Sequence, residues 1–120
     1  MKTRLLLMIC FLTLAATAHG QDKRYTDGND LLVSCQLSVH WLDDHSTAMN
    51  SLEDYRDGFC RGLVTGVADA SPKVCATEGI TLGQNIRIVT KFLQDHPERL
   101  QLRATELVEQ ALAKAFPCSK

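Results

Sequence analysis

The chain has 120 residues, of which 45% are hydrophobic and 22% charged, with a formal net charge of −1. That length suits one domain, and the apolar share is too high for a disordered chain. The near balance of charge argues against a nucleic-acid partner, and no run of like charges marks a tail.

Residues 1–20 read as a cleaved export signal. Lys2 and Arg4 give a positive start, Leu5 to Ala16 is apolar apart from Thr13, and Ala16-Thr17-Ala18 supplies small residues for a peptidase. Cleavage fits after Gly20 or after Ala18. The apolar run is about a dozen residues, well short of the ~20 that a membrane-spanning helix needs. Cys10 follows Met8 and Ile9 rather than the small residues of a lipoprotein site, so it is expected to leave with the signal. The mature part, 21–120, is expected to be a single exported domain. Without Lys2 and Arg4 its acidic residues outnumber its basic ones by three. No membrane association is expected after cleavage.

Four cysteines remain, Cys35, Cys60, Cys75 and Cys118. An even number in a short exported chain reads as two disulfides, and no pair has the close spacing of a structural zinc site. Three pairings are open.

Residues 21–28 are polar. Asn29 or Asp30 can cap a first helix, on which Leu31, Cys35, Val39 and Leu42 recur at helical spacing. Asp43 to Met49 is mixed and polar, a loop. Asn50 with Glu53, or Ser51 with Asp54, then forms a reciprocal cap. The second helix carries an apolar stripe of Leu52, Tyr55, Phe59, Leu63, Val67 and Ala70. Beside it run Gly58, Gly62 and Gly66. Each helical glycine costs about 1 kcal/mol relative to alanine. The stripe therefore predicts close approach of another helix, within the domain or across a homodimer seam. Charged neighbours such as Arg56, Asp57 and Arg61 exclude a membrane helix pair.

Ser71-Pro72 stops the second helix. Lys73 to Gly79 is a loop that contains Cys75. Thr81 with Gln84 caps a third helix, with Leu82, Ile86, Val89 and Leu93 on its apolar face, ended by His96-Pro97. A last helical region covers about Pro97 to Phe116 with a break near Gln101–Ala104, and Ala104, Leu107, Val108, Ala111, Leu112 and Ala115 are expected to form its buried side. No alternating strand pattern competes. The expectation is an all-α fold, a small disulfide-bonded bundle of about four helices. Cys60 lies one long helical stretch before Ala70, and an extended return through Cys75 can span that distance. This reach favours Cys60–Cys75 with Cys35–Cys118.

No catalytic constellation emerges. His-Glu-x-x-His, Gly-x-Ser-x-Gly and phosphate-cradling loops are absent from the sequence, so an enzyme is not expected, nor a cofactor. His40, Asp43, Asp44 and His45 cluster at one helix end, where a polar terminus explains them better than a metal site. Asp69, near the end of an apolar helix, is expected to pair with a lysine or arginine such as Lys73.

Four ordered motifs carry a family resemblance: Gly28-Asn29-Asp30-Leu31-Leu32 with Cys35; Gly58-Phe59-Cys60-Arg61-Gly62 continuing through Gly66-Val67-Ala68-Asp69-Ala70; Cys75 with Glu78-Gly79-Ile80-Thr81-Leu82-Gly83-Gln84 and His96-Pro97-Glu98; and Ala115-Phe116-Pro117-Cys118. Together they resemble the Rap/Tai family of type VI secretion amidase immunity proteins, over most of residues 28–118. The resemblance implies an all-helical, disulfide-bonded periplasmic protein, often a dimer, which binds a peptidoglycan amidase effector and blocks its active site. Recognition in a helical scaffold usually sits on loops held by rigid elements. Lys73, Val74, Ala76, Thr77 and Glu78, in the loop tethered by Cys75, are the candidate contacts, with loop Asp43–Asn50 second. The alternative function is a periplasmic acid- or stress-responsive chaperone, in which acidification would expose client-holding apolar surface. Two bridges and capped helices favour one rigid state and weigh against it.

Overall fold

The computed structural model describes residues 26–46 and 48–119, and the expected signal segment lies outside them. The described residues form four helices: α1 (Gly28–Asp43), α2 (Ser51–Ala70), α3 (Leu82–Asp95) and α4 (Ala104–Ala115), with a single 3-10 turn at Pro97–Arg99. No strand occurs among them, and the fold is a small all-α bundle with two disulfides.

The boundaries of α2 and α3 have local causes. Asn50 accepts from Leu52 and Glu53 N–H at 3.0 and 3.1 Å while its own N–H donates to Glu53 at 2.9 Å. This is the reciprocal cap expected at α2. Thr81 and Gln84 do the same for α3, at 2.7 and 3.2 Å. Pro72 stands just past the end of α2 at Ala70. Pro97 opens the 3-10 turn after α3, because the residue before proline leaves the helical region. The expected break before the last helix falls at residues 100–103.

The start of α1 differs from expectation. Its cap is Asp27, whose carboxylate accepts from Asn29 and Asp30 N–H at 3.0 and 3.2 Å, so the helix begins at Gly28. The reason is tertiary. Gly28 N–H donates to Leu102 O at 3.1 Å and Ala104 N–H to Thr26 O at 2.9 Å. This short antiparallel strap ties the entry of α1 to the entry of α4. Asn29 adds a bond to Leu100 O at 3.2 Å. A side chain at Gly28 would run into Leu107 and lie 2.9 Å from Leu100 backbone.

The core gathers one face of every helix. Leu31 and Cys35 of α1, Cys60 and Val64 of α2, Ile86, Val89 and Leu93 of α3, and Leu107, Val108 and Leu112 of α4 are all buried. Burying each large aliphatic side chain contributes about 1.5–3 kcal/mol. The buried hydroxyls of Ser38 and Thr90 donate back to Ser34 O and Ile86 O, at 3.3 and 2.8 Å, which satisfies them inside their own helices. α1 packs chiefly on α2 and α3.

The disulfides correct the expected pairing. They are Cys35–Cys60 and Cys75–Cys118, with Cα separations of 5.2 and 5.0 Å, rather than Cys60–Cys75 and Cys35–Cys118. Chain reach is only an upper bound and does not choose a direction. α1 and α2 lie side by side with Cys35 and Cys60 on their facing sides, while the loop after α2 turns toward the end of α4.

Gly58, Gly62 and Gly66 also depart from one expectation. All three are exposed, and a Cβ at any of them would meet nothing within 4 Å. They serve no close packing within the described residues, because the buried side of α2 runs through Cys60 and Val64 on the other flank of the helix.

Candidate partner-binding loop

The segment between α2 and α3 is held at both ends and open in the middle. At its start Ser71 caps α2 with an N–H to Val67 O bond of 3.0 Å, and its hydroxyl donates to Glu109 at 2.8 Å. Lys73 reaches the other oxygen of Glu109 at 2.7 Å. One carboxylate on α4 thus grips two residues of the loop. The pairing holds Glu109 below the usual carboxylate range, through Lys73 first and Ser71 second, and pushes Lys73 up. Lys73 therefore does not pair with Asp69, the partner expected from sequence; the turn at Pro72 carries it across to α4.

In the middle, Val74 is half-buried against the core. Cys75 donates its N–H to Phe116 O at 3.0 Å and is bonded to Cys118. Cys118 Sγ lies 3.6 Å from Pro72 O. At the far end Gly79 takes φ +90°, a conformation that suits glycine, and turns the chain into the Thr81 cap. Ala76, Thr77 and Glu78, between the two anchors, are exposed.

The five residues singled out from sequence thus divide. Lys73 and Val74 hold the loop to α4 and to the core. Ala76, Thr77 and Glu78 form its presented tip. Such a tip can enter a concave partner site with little further ordering cost. Nothing in the local sequence pointed to Glu109, which sits in an ordinary helical position and acquires its role from the fold.

The second candidate region, between α1 and α2, is built differently. Asp43 forms a two-pronged pair with Arg87 of α3 at 2.6 and 3.3 Å, which holds its carboxyl below the usual range. Asp44 is lowered by its hydrogen bonds from Ser46. His45 stacks on Trp41 with ring centroids 4.5 Å apart, and Arg61 lies over the same indole at 5.4 Å. Among the described residues no group of three or more His, Cys, Asp or Glu is placed to hold a metal ion.

A third surface was not legible as a site. Among the described residues Val33, Leu52 and Tyr55 are the exposed large hydrophobics, and all three line one open groove of about 340 Å³ between α1 and α2, with Phe59, Asp30 and Arg56. Leu52 and Tyr55 belong to the apolar stripe of α2 but lie at its exposed end.

The fold and the four cysteines define a small disulfide-bonded all-α bundle. A family model described as Rap1a immunity proteins matches residues 27–118, and the chain belongs to that family. No curated protein and no solved structure matches the chain. Among the described residues no helix is long and apolar enough to cross a membrane.

Proposed function

We propose that this protein is the periplasmic immunity partner of a peptidoglycan amidase effector of type VI secretion, which it binds and inhibits while catalysing nothing itself. The observation that carries the reading is the loop tip Ala76–Glu78, presented between the Glu109 grip and the Gly79 turn and tethered by Cys75–Cys118. A short rigid projection matches the concave cleft in which a cell-wall hydrolase must hold its substrate. Family membership and the two disulfides support an inhibitor that works outside the cytosol.

The test takes the mature protein and any exported cell-wall amidase whose gene is found beside its own. Binding is measured by calorimetry and inhibition by release of peptidoglycan fragments. The expected outcome is nanomolar binding with loss of hydrolysis, weakened at least tenfold, about 1.4 kcal/mol, by Glu78→Lys. A wild-type protein that neither binds nor inhibits that amidase overturns the assignment.

The protein is further read as a homodimer. The groove of Val33, Leu52 and Tyr55 and the open face of Gly58, Gly62 and Gly66 supply an apolar, closely approachable surface on α2. Sedimentation of the mature protein tests this, and a monomer at all accessible concentrations rejects it.

A further inference from the structure

The two disulfides occupy opposite environments. Cys35 and Cys60 are both 0% exposed, at the centre of the core. Cys75 and Cys118 are both exposed, outside any helix, in segments that meet only along one edge of the bundle. A thiolate reduces a disulfide by attacking one of its sulfurs, so access decides which bond exchanges. The buried bridge can be reached only after α1 and α2 separate. The exposed one can be reached in the folded protein.

We propose that Cys75–Cys118 is a site of thiol–disulfide exchange for a dithiol reductant, and that its state sets the order of the loop tip. This deepens the immunity reading and rests on it only for the consequence to binding. In the reaction, a thiolate of the dithiol bonds to one of the two sulfurs as the Cys75–Cys118 bond breaks. The other sulfur leaves as a thiolate and takes up a proton. The second thiol of the dithiol then attacks the mixed disulfide. The reductant becomes its own disulfide, and two electrons and two protons end on Cys75 and Cys118.

The structure also says what would and would not follow. Reduction leaves Ser71 and Lys73 on Glu109, and Val74 against the core. It also leaves the buried bridge and the helix core intact. Between Val74 and the Thr81 cap it removes the covalent tie to Cys118 and leaves, among the described residues, the bond from Cys75 N–H to Phe116 O. Ala76, Thr77 and Glu78 therefore loosen while the bundle persists, as expected of a unit that opens locally rather than globally.

The experiment treats the native mature protein with dithiothreitol, without denaturant, then quenches with iodoacetamide and maps the modified cysteines by mass spectrometry. Hydrogen exchange is followed in parallel on the wild type and on a Cys75→Ser/Cys118→Ser variant. The expected result is alkylation of Cys75 and Cys118 together, at least about tenfold faster than Cys35 and Cys60, with helical circular dichroism unchanged. Exchange in residues 74–80 rises by a similar factor in both the reduced protein and the variant. Alkylation of all four cysteines at one rate, earlier modification of Cys35 or Cys60, or unchanged exchange in 74–80 on reduction overturns the proposal. None of these readouts needs an amidase, so a failed immunity assignment and a failed exchange site are told apart.

Discussion

The entry of α1 and the outer face of α2 both carry glycine beside cysteine, yet they work in opposite ways. Gly28 is buried, with Leu107 and the Leu100 backbone where its side chain would be. It lets the strap to residues 102–104 close, seven residues before the buried Cys35–Cys60 bridge. Gly58, Gly62 and Gly66 face open space, on the helix whose other flank holds that bridge. The lesson is that a glycine's meaning depends on where its missing Cβ points. At Gly28 the fold needs the gap. Along α2 it does not, so the three glycines lower the stability of α2 relative to alanine.

The largest effect should come from the interior region. Replacing Cys35 and Cys60 together by alanine removes the covalent tie between α1 and α2 and leaves unfilled space, a loss of about 2–5 kcal/mol in urea unfolding. Removing Cys75 and Cys118 should cost less, although it spans the longer separation, because both residues are already exposed. If the exposed pair costs more, the contrast between the two regions fails.

Gly28→Val comes next. It should lower stability by about 1–3 kcal/mol through overpacking against Leu107 and Leu100, seen as a lower denaturation midpoint with little change in slope. The matching change on the outer face has the opposite sign. Gly62→Ala should raise monomer stability by about 1 kcal/mol, because it improves helix propensity and meets nothing. A loss would mean that some surface packs against the stripe after all.

Smaller still is Tyr55→Asp. Its side chain is 69% exposed, so unfolding should shift by no more than about 0.5 kcal/mol. Sedimentation should nevertheless lose any dimer formed through the groove.

The mildest effect concerns pH at the loop. Glu109 has a lowered pKa in the folded state, so its contribution is present above the unfolded value and fades as pH falls through the folded one. Lys73 has a raised pKa, so its contribution is present below the unfolded value and fades as pH rises through the folded one. The pair is surface-exposed and screened, so global stability should barely change. Protection of the Lys73, Val74 and Cys75 amides, relative to their intrinsic exchange rates, should nevertheless fall in acid before that of the helices does, and Lys73→Met should abolish that difference.

Much of this molecule was determined by residues close together in sequence. Helix identity followed from apolar spacing. The starts of α2 and α3 followed from Asn50 with Glu53 and Thr81 with Gln84, and the stops from Pro72 and Pro97, since caps and proline sterics act within one turn of the chain. That the segment between Pro72 and the Thr81 cap is a loop was legible for the same reason. Only the tertiary structure decided how the cysteines pair, that Asp27 rather than Asn29 or Asp30 caps α1, that Glu109 grips Ser71 and Lys73, and that the glycine stripe and Tyr55 face outward. Each of those depends on how far and in which direction one helix lies from another. Local periodicity carries no information about that, because the same amphipathic pattern is compatible with several packings of four helices.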